Sequence, residues 1–282
     1  MHPILLRIGS FDLPTYGLLL ALGLLAGLFV AMRLGRREGM DSGQIIDFST
    51  WLIVTGLIGA KIYMILTGWG FYTAHPGEIF SLDTLEAGGG FYGGFIGAAL
   101  FAVWYVKSHR LPLLRVFDAF APAVAIGQAI GRLGCFAAGD DYGKPAPHSA
   151  LGVVFTNQYA HQMTGVPLGI PIYPVQLFES ALTLIIFLIL LWFYQHKRRD
   201  GQIFVMYLML YAVARFFLEY YRGDPDRGFF FHHTLSTAQL VAIVAFGLGI
   251  ILSIYLQRQP PVEAQNFAEA KPSPVARGSG PV

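Results

Sequence analysis

Seven apolar runs of about twenty residues each dominate this sequence and limit what it can fold into. A helix needs roughly 20 mostly apolar residues to cross the hydrocarbon core of a bilayer. Only 13% of the 282 residues are charged, whereas soluble domains carry about 25%, and the mean hydropathy is +0.54. The sequence therefore predicts an all-α polytopic membrane protein with about seven transmembrane helices. The predicted spans are about 14–33, 47–66, 90–107, 115–136, 174–194, 202–221 and 235–256.

The distribution of Lys and Arg predicts the orientation, because cytoplasmic loops carry the excess of these residues. Twelve lie in one set of connecting segments and four in the opposite set, while Lys61, Arg132 and Arg215 fall inside predicted spans. This split places the N-terminus outside and the C-terminus in the cytoplasm. We expect a transmembrane catalytic domain at 1–258 and a disordered cytoplasmic tail, rich in Pro, Ala, Gly and Ser, at 259–282.

The longest outer segment, about 139–173, predicts a small external cap, with short strands or turns at 153–155 and 167–174. The first apolar run has its arginines after it rather than before it, so it is interpreted as a retained span and not as a signal peptide.

Several classes of protein are disfavoured by the residues present. A single cysteine cannot form an intrachain disulfide, and no Cys/His group has zinc-site spacing; the adjacent pair His232-His233 does not share a helical face. There is no phosphate-binding loop or dinucleotide fingerprint. A net charge of +2 without a basic arm does not indicate a nucleic-acid partner. We therefore expect no cofactor, no metal and no nucleic acid.

The segment from Gly131 to Gly143 holds Arg132, the sole cysteine Cys135, the adjacent carboxylates Asp140 and Asp141, and four glycines. A guanidinium at the end of an apolar run needs an anionic partner. The simpler interpretation is a helix end that directs its arginine toward the headgroups and is followed by a turn. Cys135 has no obvious activating base and would then be a small packing residue.

Polar residues of six predicted spans fall at one depth, in the outer half of the membrane. Every charge assigned to a span is expected there, and chance would divide such charges between the two halves. A water-accessible cavity that binds an anionic headgroup would explain the shared depth, and the fork of an arginine suits a phosphate. The set is Tyr16, Lys61, Tyr92, Arg132, Gln176, Glu179, Arg215 and Glu219, with Arg222 just beyond the sixth span.

Each of these residues also has a structural interpretation. Tyr16 and Tyr92 suit an aromatic belt, and Lys61 can extend to the interface. Arg215 and Glu219 are spaced as an intrahelical ion pair. Glycines around Tyr92 form small-xxx-small pairs, which predict close helix packing. Glu179 can likewise serve only as a cap or ion-pair partner.

Five motifs occur in a fixed order along the chain. They are Tyr16-Gly17; Gly89 to Gly97; Gly131 to Phe136 with Gly139 and Tyr142-Gly143; Tyr173 to Glu179; and Arg215 to Glu219 followed by Arg222-Gly223-Asp224. In these motifs the chain resembles the bacterial prolipoprotein diacylglyceryl transferases over about residues 10–256.

The resemblance implies transfer of a diacylglyceryl group from phosphatidylglycerol to the lipobox cysteine of a prelipoprotein, with release of glycerol phosphate. It implies a multi-pass protein of the bacterial cytoplasmic (inner) membrane, in contact with membrane lipids, whose active site faces the outer leaflet. By position, Arg132 and Arg215 would hold the phosphate and Glu219 would orient Arg215. Asp140 stands where the family usually has Glu, and Gly143 matches a glycine that the family needs near the site.

The expected catalytic set is Arg132, Arg215, Tyr92, Asp140, Glu219 and Tyr16, and the expected substrate-binding set is Arg132, Arg215, Gly143, Lys61, Cys135, Glu179 and Arg222.

The sequence departs from the family at three positions: Tyr92 and Tyr173 stand where many members have His, and Cys135 stands where many have Asn. A phenol with an ordinary pKa near 10 is a poor base at neutral pH unless a cation lowers that pKa. The base that takes the thiol proton is therefore left between Tyr92 and Asp140.

Two other classes of function are weighed against the transferase. A transporter or channel with a polar outer vestibule would need polar groups in the inner half of the membrane too, and almost none are expected there. A lipid-binding protein with an outer-leaflet polar vestibule is kept as an alternative. An intramembrane protease would need a Ser/His or paired-Asp arrangement inside the helices, which the sequence lacks.

Overall fold

The structure is a computed structural model of the chain and describes most of it. The described residues are 2–8, 11–81, 84, 89–224, 227–230 and 234–258. The predicted tail at 259–282, the pair His232-His233 and the acidic residues Asp83, Glu86 and Asp226 lie outside the described residues.

Long helices account for most of the described chain, and one corresponds to each predicted span. In chain order, with two short helices included, they are α1 Thr15–Arg37, α2 Ser42–Thr67, α3 Trp69–Ala74, α4 Phe91–Ser108, α5 Leu113–Ala138, α6 Gln158–Thr164, α7 Val175–Tyr194, α8 Gln202–Leu218 and α9 Thr237–Gln257. Two 3-10 turns, Pro76–Phe80 and Glu219–Tyr221, follow α3 and α8. Capping boxes begin α2 and α9, at Asp41 and Ser236, and satisfy N–H groups that each helix start leaves unpaired.

Six of the described helices are long and apolar enough to cross a membrane, which confirms an all-α polytopic membrane protein. The prediction of about seven spans differs at α4. That helix forms with 18 residues, but it is not one of these six.

The helix α5 packs along both α1 and α7. Ser180 of α7 donates to the backbone carbonyl of Ala129 in α5 at 2.7 Å. The predicted glycine packing is confirmed between α2 and α4, where a Cβ on Gly59 would lie 2.3 Å from the carbonyl oxygen of Gly93. Only glycine allows the two backbones to approach so closely.

The apolar core is concentrated at one end of the bundle. Its two largest clusters contain Phe48, Val116, Ile186 and Leu190, all buried. They come from the late turns of α1, α4 and α7 and the early turns of α2, α5 and α8. We call this the Lys197 end, and the opposite end, where α5 finishes, the Arg132 end.

Buried charges at the Lys197 end correct one prediction. Asp118 lies inside a span and is fully buried, yet it is at the opposite end from Arg132, so the charges do not all share one depth. Lys197 pairs with Glu38 and lies 3.5 Å from Asp118. Asp118 also accepts the backbone N–H groups of Gly201 and Ile203 at 2.8 and 2.9 Å, because the start of α8 leaves these donors free. Polar groups at this end were underestimated because their partners are far apart in sequence.

The short strands form three hairpins in the described chain. They are β1 Ile4–Ile8 with β2 Phe11–Pro14, β3 Val153–Val154 with β4 Pro171–Ile172, and β5 Phe229–Phe230 with β6 Leu235–Ser236. The middle pair and α6 surround a small core that includes Phe155 and Val166. Thr164 of α6 donates to the carbonyl of Gly139 at 3.0 Å, so this cap sits over the Arg132 end.

Candidate functional site

Arg132 lies in the last two turns of α5 and contacts two carboxylates. Its Nε is 3.0 Å from Oε2 of Glu179, and its Nη1 donates to Asp141. The same Nη1 lies 3.6 Å from Sγ of Cys135, one helical turn away. Gly139 follows α5 with a φ of +81°, which lets the chain turn back toward the arginine.

Glu179 is held by neutral donors as well as by the arginine. Its side chain is only 2% exposed, and its Oε1 accepts from Tyr211 at 2.9 Å and from Gln128 at 3.2 Å. Tyr207 in turn donates to Gln128 at 3.1 Å. Sequence reasoning missed Gln128, Tyr207 and Tyr211; the available signal was their polar atoms within otherwise apolar runs. The network fixes the carboxylate of Glu179 and therefore the direction of Arg132.

Arg215 carries the second cationic group, on the last turn of α8. Its Nη2 is 3.0 Å from Oε2 of Glu219, which is the expected i, i+4 pair. Glu219 also accepts from Nη1 of Arg227 at 3.3 Å, a partner that the sequence did not predict. Among the described residues, Nη1 of Arg215 is buried without a hydrogen-bond partner. A buried cationic donor left without a partner is suited to an anionic ligand.

Asp141 links two arginines, which sequence reasoning did not predict. One carboxylate oxygen accepts from Arg132 and the other from Arg222. Burial raises the pKa of Asp141, but the charges and hydrogen bonds of the two arginines lower it further, so the net shift is downward and the group is ionised. Arg222 is also clamped by Asp224 at 2.7–2.8 Å. Burial lowers the pKa of Arg222, but the hydrogen bond to Asp224 and the charge of Asp141 more than offset it, and the net shift is upward.

Asp140, the carboxylate that sequence reasoning chose, is placed differently. Its Oδ1 accepts the backbone N–H of Asp141 at 2.9 Å, and its carbonyl accepts from Gln176 at 2.6 Å. Within the described chain no Lys, Arg or His nitrogen lies within 4 Å of its carboxylate. Although Asp140 is exposed, partial desolvation by the surrounding protein, and then the charge of Asp141, raise the pKa of its carboxyl above the ordinary value. Such a carboxylate accepts a proton more readily than an ordinary one.

Tyr16 packs against the segment from Gly131 to Gly143, and Gly143 is the last residue of that segment. A Cβ on Gly134 would lie 3.1 Å from the ring of Tyr16, so the tyrosine packs over the last turns of α5. Gly143 pairs with Arg222 through backbone bridging, and a Cβ there would lie 2.2 Å from the carbonyl oxygen of Tyr173. Gly143 thus allows three backbone segments to meet next to the arginines.

Tyr92 and Lys61 belong to the α2–α4 pair. Tyr92 lies at the start of α4 with its ring 6.5 Å from that of Tyr63. Lys61 donates to the backbone carbonyl of Thr84. These contacts place both residues at the Arg132 end, as predicted.

An apolar groove of about 680 Å³ runs between α7 and α8 and begins at this same end. Tyr173 and Tyr221 line the part of the groove at the Arg132 end, and Ile189 and Leu210 line the part farther toward the Lys197 end. No group of three His, Cys, Asp or Glu side chains suited to a metal ion occurs in the described part of the chain. The site therefore combines arginines, carboxylates and an adjoining apolar groove.

Several known proteins are similar in sequence to this chain over most of its length. The sequence pattern of the family described as prolipoprotein diacylglyceryl transferase matches residues 3–255. The phosphatidylglycerol–prolipoprotein diacylglyceryl transferase of Finegoldia magna is 32% identical over 260 residues, which cover 92% of this chain and 97% of that protein. The enzymes of the same name from Clostridium tetani and Thermosynechococcus vestitus are each 31% identical, over 89% and 90% of this chain and 96% and 93% of their own. Because the match spans every long helix and the cap, the chain belongs to the prolipoprotein diacylglyceryl transferase family.

Proposed function

We propose that this protein transfers the diacylglyceryl group of phosphatidylglycerol to the lipobox cysteine of a prelipoprotein, and that Arg132 and Arg215 hold the lipid phosphate. Family membership supports the reaction, which is the first step of lipoprotein maturation. The excess of Lys and Arg in one set of loops supports a site on the outer leaflet of the bacterial cytoplasmic membrane.

The observation that carries the assignment of roles is the buried Nη1 of Arg215, which has no hydrogen-bond partner in the described chain. Arg132 is oriented by Glu179, and Arg215 is oriented by Glu219, so both guanidiniums are fixed before a ligand binds. Preorganised cations stabilise the charge that builds on a leaving phosphate, and they cost no rearrangement during the reaction.

The chemistry needs a thiolate, an electrophilic carbon and a leaving phosphate. The cysteine sulfur of the prelipoprotein forms a bond to the terminal glycerol carbon of the diacylglyceryl group. The bond between this carbon and the phosphate oxygen breaks, and its electron pair leaves with glycerol phosphate. The thiol proton goes to a base. Asp140 suits this role, since its raised pKa makes it a better base than an ordinary carboxylate, and Tyr92 is the second candidate.

The apolar groove suits the acyl part of the same lipid. The groove lies between α7 and α8, which carry Glu179 and Arg215. A lipid whose headgroup is bound by the arginines would therefore extend its acyl chains along these two helices. We assign Lys61, Cys135 and Gly143 to the part of the site that surrounds the headgroup. Tyr16 packs over the segment from Gly131 to Gly143.

The test uses protein purified in detergent with phosphatidylglycerol and a lipobox peptide. We expect glycerol phosphate release and a gain of one diacylglyceryl mass on the peptide, and neither with a peptide whose cysteine is replaced by serine. Arg132→Ala should abolish both signals, whereas Arg7→Ala, which alters an exposed pair with Asp12, should not. Lipid binding without release by the folded wild-type protein would refute transfer and favour a lipid-binding protein or transporter.

A further inference from the structure

Two adjacent carboxylates follow α5, and only one of them contacts the arginines. Asp141 accepts from Arg132 with one oxygen and from Arg222 with the other, whereas Asp140 bonds to backbone and to no cation in the described chain. We propose that Asp141 is a positioning residue that sets the relative orientation of the guanidiniums of Arg132 and Arg222. This inference rests on the proposed transfer reaction.

The pairing pattern assigns this role to Asp141 in particular. Each arginine also has a carboxylate partner that the other does not contact: Glu179 for Arg132 and Asp224 for Arg222. Asp141 is the only carboxylate that both arginines share among the described residues. Two partly buried cations repel each other, and a shared anion between them offsets that repulsion and fixes their spacing.

The effect of Asp141 extends to α8. Arg222 directly follows the 3-10 turn Glu219–Tyr221, which continues α8 beyond Arg215. A link between Arg132 at the end of α5 and Arg222 at the end of α8 therefore fixes the distance between the two arginine-bearing helix ends. A headgroup bound by Arg132 and Arg215 would sense any change in that distance.

The backbone explains why Asp141 points inward while its neighbour does not. Asp141 has a φ of +56°, in the left-handed region, where Asp and Asn are better tolerated than most residues. The turn directs its side chain back to Arg132, nine residues earlier. Asn therefore keeps the backbone conformation, removes the charge and leaves one acceptor oxygen where Asp141 offers two to the arginines.

The loop does not depend on Asp141 alone for its place. Lys144 donates its backbone N–H to Tyr221 at 2.8 Å, and Gly223 donates to Tyr142 at 3.0 Å. The substitution Asp141→Asn leaves these backbone hydrogen bonds in place, and it also leaves the ion pairs Arg132–Glu179 and Arg222–Asp224. The variant is expected to insert and fold, with the two guanidiniums misaligned.

The experiment compares Asp141→Asn, Asp141→Glu and the charge-matched surface control Asp12→Asn in the transfer assay. We expect kcat/KM for phosphatidylglycerol to fall about 10- to 100-fold in Asp141→Asn, mostly through KM for the lipid, with the KM for the peptide unchanged. Asp141→Glu should recover part of the loss because it restores the charge, and Asp12→Asn should match the wild type.

Binding of short-chain phosphatidylglycerol, measured by calorimetry, gives a readout that does not need turnover. A lower affinity in Asp141→Asn than in wild type supports the proposal; equal affinity and kcat/KM within twofold of wild type would overturn it. A wild-type protein that binds the lipid without transferring it would refute the proposed function, and the binding comparison alone would then decide the role of Asp141.

Discussion

The ionic cluster at the Lys197 end should support the fold without affecting the chemistry, and Asp118→Asn tests this separation. Asp118 is fully buried and accepts three backbone N–H groups at the start of α8, from Gly201, Ile203 and Phe204, at 2.8–2.9 Å. It also lies 3.5 Å from Lys197.

The size of the effect follows from which bonds an amide can keep. The amide oxygen of Asn can replace Oδ1 and still accept from Ile203 and Phe204, but the amide nitrogen then faces the N–H of Gly201 and the ammonium of Lys197. One charge-assisted hydrogen bond is lost, which costs about 1.5–3 kcal/mol, and one buried donor is left unsatisfied, which costs about 1–3 kcal/mol. Lys197 keeps its pair with Glu38, so we expect a total loss near 3 kcal/mol.

Thermal unfolding in detergent, followed by intrinsic fluorescence, measures this loss. A change of about 3 kcal/mol should lower Tm by about 5–10 °C in a chain of this size. Activity measured well below the transition should equal that of wild type, because the arginines lie at the opposite end of the bundle. An unchanged Tm would contradict the energetic reasoning, and a loss of activity in the folded variant would contradict the separation of the two ends.

Three further predictions concern the site and the helix packing. Arg215→Ala should lower kcat/KM about 100- to 1000-fold by glycerol phosphate release, because it removes a fixed cation from the leaving phosphate; Arg215→Lys should recover only part, since an ammonium cannot pair with Glu219 and the ligand as a fork does. Gly59→Val should lower Tm and yield in membranes, because its Cβ would meet the carbonyl of Gly93 at 2.3 Å, whereas Gly77→Val, where a Cβ meets nothing within 4 Å, should leave both unchanged. If Asp140 is the base, activity should fall as the pH drops through its raised pKa, so the acid limb of the pH–rate profile should lie above the ordinary value near 4. Asp140→Asn should remove this acid limb, and an acid limb that persists in the variant would exclude Asp140 as the base.

The helices and the arginines could be predicted from sequence because their signals are local. Apolar runs of spanning length predicted every long helix, although α4 is not one of the six that are long and apolar enough to cross a membrane. Arg132 and Arg215 were found because a charge inside such a run is rare and needs a partner. The spacing of Arg215 and Glu219 also predicted their ion pair.

The partners that sequence reasoning missed depend on tertiary structure. A left-handed backbone conformation at Asp141 decides that this residue, and not Asp140, contacts the arginines. Two adjacent aspartates in a sequence do not reveal that conformation. Asp118 and Lys197 are 79 residues apart, and their pairing follows from how α5 meets α8. Tyr211 resembled other aromatic residues of a membrane helix until Glu179 was found at 2.9 Å from its hydroxyl.

The two charged clusters differ in how fully their donors are used, and this difference supports the proposed site better than buried charge does. Lys197 has three carboxylates within 4 Å, including Asp200, whose Oδ1 has no hydrogen bond but is 3.8 Å from the ammonium. At the other end, Nη1 of Arg215 is a cationic donor without a partner in the described chain. Paired donors stabilise a fold, whereas a buried cationic donor kept free is costly unless a ligand completes it. An anionic lipid headgroup, arriving beside an apolar groove, would complete Arg215 and has no comparable position to occupy beside Lys197.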